Sequence, residues 1–348
     1  MKCDLHVHTR HSGMCTVPLF QRICRESYSD PAAVYDTLKR RGMDLVTVTD
    51  HDSIDAAEAL RHRPDFFLSE EVTCRTSRET ELHVGVYDIS ERDHIEIQRR
   101  RDDLPALFAY LGERELLFAI NHAFSALTGA RAEADFDEFA ERFPAVEILN
   151  GQILAVANGH ADGFATRHRK IGLAGSDSHT LAALGQTYTE VHGARDCREF
   201  LDGLKQGRTA VIGESGNYGK LLRAVLEISC GMMEERRGTR LLAPLLAGVP
   251  LVVAGIVLRN WRSRNIGGGA LLGWWAWLKR RAKAVDRPWT GPTARKLACG
   301  EALLPRRRRP GVAPGLQTRV RRRSPDSACS RYHPAASGTP CACDHSPA

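Results

Sequence analysis

Over its first 215 residues the chain repeats one arrangement: a short apolar run, a polar cluster at the end of that run, then an amphipathic segment. Runs of strand length fall at 3–8, 44–49, 66–73, 82–87, 116–121, 146–149, 171–174 and 187–191. Helical patterns lie between them at 31–41, 54–61, 91–111, 135–141, 153–169 and 196–206. In the first of these Asp30 stands as N-cap, Pro31 as first helical residue and Gly42 as stop. Strand–helix alternation at this pitch predicts an α/β fold with a parallel sheet, and seven or eight such units close into a barrel. No internal repeat is present.

Charge divides the chain in two. Residues 236–348 hold 22 Lys and Arg against 4 acids, a charge of +18, which leaves 27 basic and 38 acidic residues, or −11, for residues 1–235. An acidic front is a poor match for a domain held to nucleic acid by a broad basic face, and a good match for a pocket of carboxylates that collects cations. Ten cysteines are scattered without a C-x-x-C pair, which argues against a structural zinc ribbon. The first residues contain no apolar stretch suited to a secretory signal, so a reducing cytoplasm is expected.

The organisation expected is a catalytic domain over 1–215, a linker over 216–240, an apolar segment over 241–278 and a basic, disordered tail over 279–348. Residues 241–258 carry no charge and reach about 27 Å as a helix, just enough for one membrane span. Pro244, Gly248, Pro250 and Gly255 weaken that helix. A second patch, 266–278, contains Trp274, Trp275 and Trp277 and suits an interface. Arg259, Arg262 and Arg264 favour a cytoplasmic C-terminus, which would put the front outside without a signal; a buried or peripheral hairpin avoids that conflict. In the tail, Arg306–Arg309 and Arg321–Arg323 read as a solvated charged segment, with contact to nucleic acid or anionic lipid as the alternative. Its Arg, Pro, Ala and Gly bias also fits shifted-frame translation of GC-rich DNA, which codon third positions would reveal.

The chemistry sits in the polar clusters. Asp4-Leu5-His6-Val7-His8-Thr9 opens the chain, and on a strand Asp4, His6 and His8 share one face. Two imidazoles at i and i+2 can bind one metal. Thr49-Asp50-His51-Asp52 ends the second run, Ser69-Glu70-Glu71-Val72-Thr73 lies in the third, Leu82-His83 opens the fourth, Asn121-His122 ends the fifth, and Gly175-Ser176-Asp177-Ser178-His179 ends the seventh. Most of these groups stand at the C-terminal end of an apolar run, the face on which barrel active sites are built. Glu147 and Asn150 reach the same end, as pocket residues or as support behind it. His62, His94, His160, His168 and His192 read as surface or packing residues. Ser176 and Ser178 lack the Gly-x-Ser-x-Gly surroundings of a nucleophile.

In order and spacing these motifs over residues 1–215 resemble the PHP (polymerase and histidinol phosphatase) family, and 184–213 resembles the end of such domains. The resemblance implies a distorted (β/α)7 barrel with a trinuclear metal centre. His6 and His8, with Asp177, would hold the first metal, Glu71 would bridge to a second completed by His83 and His122, and His51 and His179 would hold the third. Glu70 is the rival for the bridging place. A family ligand is missing where Gly13 and Met14 stand, with His11 and Cys15 as nearby substitutes, so two or three divalent ions are expected. Mixed imidazole and carboxylate donors suit Zn²⁺, Mn²⁺ or Fe²⁺ better than Ca²⁺.

The activity expected is attack of a metal-activated hydroxide on a phosphate ester, with Asp177 or His179 relaying protons and Arg10 as a phosphate clamp or a plain surface arginine. Substrates would be phosphorylated small molecules, including nucleotides, or nucleic-acid ends in a 5′–3′ exonuclease reaction. One alternative is a metal-dependent amidohydrolase, against which stands the lack of a strand-end lysine. The other is a non-enzymatic tether to membrane or nucleic acid, with membrane contact through 241–278.

Overall fold

Two sheets form from the apolar runs in the computed structural model, which describes residues 1–16, 20–125 and 131–262. The larger has the order β2 (Ser69–Arg75), β3 (Glu81–Tyr87), β4 (Leu117–Ile120), β5 (Ala145–Asn150) and β6 (Ile171–Gly175). The smaller has the order β1 (Lys2–Cys3), β7 (Thr187–Glu190) and β8 (Ala210–Gly213). The fold is mixed α/β. Only β4, β5 and β6 pair in parallel, whereas β3 is antiparallel to both neighbours. The cause is the connection between β2 and β3, a tight turn closed by the Thr76 N–H on the Thr80 carbonyl at 2.9 Å. Such a turn leaves no room for the crossover that a parallel pair needs.

The expected closed barrel does not form as a continuous sheet: neither sheet closes on itself among the described residues. Residues 4–8 and 44–51 make only single parallel bridges, Val7 with Ser178, Val46 with Phe66 and His51 with Glu71. Side chains occupy the backbone donors that a ladder would use. Thr49 Oγ1 accepts from the Val7 N–H at 3.0 Å, Asp50 accepts from the Thr9 N–H at 2.6 Å, and Asp4 accepts from the Ser176 N–H at 2.7 Å.

Helices α1 (Pro31–Arg40), α2 (Ala57–Leu60), α3 (Glu91–Arg100), α4 (Leu104–Glu113), α5 (Glu133–Arg142), α6 (Ala155–His168) and α7 (Cys197–Lys205) fill the connections. Asp30 caps α1 as expected, accepting from the Ala32 and Ala33 N–H groups. The run 91–111 divides because Asp103 caps a new helix, accepting from the Ala106 N–H at 3.1 Å, with Pro105 in its first turn. Phe108, Phe118, Phe139, Phe143 and Phe164 pack the larger sheet against α4, α5 and α6. On another side Leu5, Leu45, Phe67, Leu117 and Leu173 meet Phe200 and Leu204 of α7. Leu5, Leu45, Phe67, Leu117 and Leu173 each precede a polar cluster by one to four residues, so the apolar layer forms a floor beneath the polar groups.

The stretch read as a linker, 216–240, contains α8 (Tyr218–Glu235), capped by Asn217 on the Lys220 N–H at 3.0 Å. A 3-10 helix (Arg237–Gly248) and α9 (Val249–Arg262) follow, and the Tyr218 hydroxyl donates to the Pro250 carbonyl at 3.2 Å. Arg237–Leu258 is long and apolar enough to cross a membrane, and Leu241 and Leu251 are 87% and 78% exposed. The tryptophan-bearing patch 266–278 and the basic tail lie outside the described residues.

Gly175 marks where the fold is tightest around the chain that carries His6. A Cβ there would lie 2.3 Å from His6 Cβ and 2.5 Å from His6 N. Overpacking against backbone cannot be relieved by a rotamer change, so Gly175→Ala should cost about 1–3 kcal/mol in denaturant unfolding. Unchanged stability would show that the two segments are not in contact.

Candidate metal centre

The polar ends of the runs converge on one buried point. His6 and His8 are 1% and 0% exposed and Glu71 is 0% exposed. Glu71 Oε2 lies 3.2 Å from His6 Nε2, 3.4 Å from His8 Nε2 and 3.4 Å from His51 Nδ1. Its other oxygen is 3.5 Å from His83 Nδ1, 3.3 Å from His122 Nε2 and 2.9 Å from Asn121 Nδ2. Asp177 Oδ1 stands 3.4 Å from both His6 and His8 and 3.7 Å from His179 Nδ1. All eight expected ligands, His6, His8, His51, Glu71, His83, His122, Asp177 and His179, therefore share one cluster.

Charges in the cluster are strongly coupled. Burial alone would raise the Glu71 carboxyl, yet His6, His51 and His83 hold it well below the usual range. Asp177 is likewise held low, against its burial, by His6 and His8. Burial, then His179, pushes His8 down to about 4. His83 moves the other way, up to about 10, because Glu71 and Glu81 outweigh burial.

The donor set fits divalent cations. Four triads have ligand atoms within 4.8 Å of one another: His6, His8 and Asp177; His6, Glu71 and His122; His51, Glu71 and His83; and His8, His51 and His179. Buried Nδ1 atoms of His51, His83 and His122 have no hydrogen-bond partner. Nε2 of His6 faces Nε2 of His8 at 3.0 Å. Buried ring nitrogens left unpaired or facing one another are unfavourable, and a shared cation supplies the missing partner. Two of the groups sit on strained backbone, Asp177 at φ 51° and His122 at φ 28°, a conformation that persists only where the surroundings enforce it.

Support comes from behind. Glu147 Oε1 is 2.8 Å from His6 Nδ1, and its Oε2 accepts from the His122 N–H at 2.8 Å and from Asn150 Nδ2 at 2.9 Å. Asn150 Nδ2 also donates to Asp177 at 3.0 Å. His8 Nδ1 lies 3.0 Å from Ser12 Oγ, which donates to Asp50 at 2.6 Å. Glu147 and Asn150 thus stand behind the donors and orient them.

Other expected residues fall elsewhere. Glu70 points away from Glu71, toward His94 and Gln98 at 2.8 Å each, and has no contact with the cluster among these bonds. Arg10 is 54% exposed and lies 3.4 Å from Asp30, a surface pair. His11 is 4.0 Å from Asp55, and Cys15 pairs through its backbone with Cys24, so neither has an ion pair or hydrogen bond with the cluster. His160 stacks on Phe124, His168 packs at a tilt against Phe164, and His192 is 76% exposed beside Glu190.

One residue was missed. Glu26 Oε2 lies 3.2 Å from His51 Nε2, and burial pushes its carboxyl up to about 7 against the pull of His179. The loop that begins at Gly13 folds back, and the Glu26 N–H donates to the Gly13 carbonyl at 3.2 Å. The available signal was that Glu26 is the single acid between Asp4 and Asp30.

Residues 156–209 match the family model described as PHP-associated. No curated protein matches the chain. Among solved structures, the chain is similar to a two-domain protein from Bacteroides vulgatus described as containing a predicted PHP-like metal-dependent phosphoesterase, with 16% identity over 66% of this chain and 70% of that one and a TM-score of 0.47. It is similar to PsfC from Pseudomonas syringae, with 16% identity over 67% of this chain and 98% of that one and a TM-score of 0.46. It is also similar to the lesion-specific endonuclease PfuEndoQ from Pyrococcus furiosus, with 16% identity over 59% of this chain and 56% of that one and a TM-score of 0.40. The donor motifs between residues 4 and 179 and the PHP-associated match at 156–209 make the chain similar to PHP proteins over its front part.

Proposed function

We propose that the chain is a hydrolase of phosphate esters that works with two or three divalent metals. The observation that carries this reading is Glu71, a fully buried carboxylate within 3.2–3.5 Å of His6, His8, His51, His83 and His122. Its two oxygens face different imidazoles, the arrangement of a bridging ligand. His6, His8 and Asp177 are assigned to a first metal, and Glu71, His83 and His122 to a second. Glu26, His51 and His179 are assigned to a third, with Glu26 in the place left open at Gly13 and Met14. The single bridges at Val7, Val46 and His51 support reading the strands as an opened form of the seven-stranded barrel that the family implies.

Bound there, divalent ions would supply hydroxide near neutral pH and neutralise phosphoryl charge. The chain's own contribution is orientation and exclusion of water. Glu147 fixes the His6 ring and the strained His122 amide, and Ser12 with Asp50 fixes His8. The floor of Leu5, Phe67 and Leu173 keeps water from the lower side. Asp177 and His179, on the more exposed side at 12% and 24%, are the pair assigned to proton relay. None of the eight expected ligands is a lysine, which favours phosphate esters over the amides split by lysine-bridged centres.

A small substrate fits better than a long polyanion. Arg10 is paired with Asp30, Arg25 with Glu235 and Arg101 with Asp52. With a charge of −11, residues 1–235 are a poor match for a nucleic-acid backbone.

The test is a panel of phosphomonoesters, phosphodiesters and cyclic amides assayed with Mn²⁺ or Zn²⁺. Phosphoester turnover should be abolished by chelation, restored by metal, and lowered at least about 100-fold by His6→Ala with His8→Ala. Amide turnover without phosphoester turnover would refute the assignment. Glu147→Gln removes one acceptor from behind His6 and His122, and metal affinity measured by equilibrium dialysis should fall about 10–100-fold with the fold intact. Unchanged affinity would show that Glu147 does not orient the donors.

A further inference from the structure

Helix α8 begins after the family match ends at residue 209 and after the expected end of the catalytic domain at 215. Its last turns nonetheless pack against the loop that delivers Glu26. Tyr28 lies on the helix at Gly231, where a Cβ would meet the ring at 2.6 Å from Cγ and 2.7 Å from Cδ2. The Tyr28 hydroxyl accepts from the Arg25 N–H at 3.0 Å. Arg25 Nε donates to Glu235 Oε1 at 2.8 Å, and Arg236 donates to the Arg22 carbonyl at 2.9 Å. Glu26 lies between Arg25 and Tyr28, so α8 holds the loop on both sides of it.

The loop needs this external hold. His83 has a strand on each side, and Glu71 has the β3 ladder on one side and a single bridge to His51 on the other, whereas Glu26 lies outside the named strands, next to one isolated bridge between Met14 and Arg25. A flexible loop loses conformational entropy when it presents a ligand, and that loss weakens binding unless the loop is already ordered. Within the cluster the Glu26 carboxylate meets only His51 among the ion pairs. The exposed Arg25–Glu235 pair contributes little by itself, which leaves the seating of Tyr28 on Gly231 as the main contact.

We propose that α8 is a positioning element of the metal centre, one that seats Tyr28 and Arg25 and so sets the Glu26 carboxylate beside His51. The catalytic unit then extends to about residue 236. This inference rests on the assignment of Glu26 to the third metal.

The experiment is Mn²⁺ binding to the full chain by equilibrium dialysis, with stoichiometry and affinity read separately for each equivalent. Glu26→Gln should weaken the last equivalent and spare the tighter ones. Gly231→Leu should weaken the same equivalent about 10–100-fold. Tyr28→Phe keeps the ring and loses the acceptor, and should weaken it less. Arg25→Glu should weaken it slightly, and adding Glu235→Arg should restore it. If circular dichroism shows that Gly231→Leu unfolds, Tyr28→Phe and the charge-swapped pair decide the matter. Loss of the last equivalent in Glu26→Gln, with no change in Gly231→Leu, Tyr28→Phe or Arg25→Glu, overturns the role of α8 alone. No effect of Glu26→Gln overturns the donor assignment and the role of α8 with it.

Discussion

A carboxylate with no exposure to water is the constraint around which the rest of the molecule is arranged. Glu71 is stable in that position because His6, His8, His51, His83 and His122 surround it at 3.2–3.5 Å. Burying an ion without such partners would cost several kcal/mol, on the order expected for a carboxylate removed from water. These imidazoles come from widely separated parts of the chain, between residues 6 and 122. The site is complete only if each segment ends at the same height above the apolar floor. Register in the sheet and chemistry at its rim are therefore one requirement.

That requirement explains the irregular strands. Where a continuous ladder would be expected around residues 4–9 and 44–51, side chains of Asp4, Thr49 and Asp50 take the backbone donors instead. The exchange gives up ladder bonds and gains fixed positions for polar groups. Glu147 does the same at the strained His122 amide, and Asn150 extends the support to Asp177, whose backbone is left-handed. A rigid polar layer lies above a close-packed apolar one, and donor geometry is inherited from both.

Much of this was legible in the sequence because strand-end donors announce themselves. His-x-His at 6 and 8, Glu71 and Asp-x-His at 177 and 179 lie on or next to apolar runs, so position along the run predicts position at the rim. The choice between Glu70 and Glu71 also follows alternation: one faces the cluster, the other α3. Residues whose placement depends on loops were not legible. Glu26 reaches the cluster through a fold-back of the chain that no period encodes. Arg10 adjoins the His-x-His run and yet pairs with Asp30 at the surface. The antiparallel β3 had a signal in the sequence: no helical pattern separates the runs at 66–73 and 82–87, and the eight residues between them are too few for a crossover. Helix α8 was not expected because it lies past residue 215, where the alternation of apolar runs and helical patterns ends.

Anomalous diffraction from crystals grown with Zn²⁺ or Mn²⁺ tests the central claim most directly. Two or more peaks should flank the Glu71 carboxylate, each about 2.0–2.2 Å from its oxygen and from an imidazole nitrogen of the set His6, His8, His83 and His122. Metal found only elsewhere, or imidazoles bonded to Glu71 with no ion between them in metal-saturated crystals, would contradict the account.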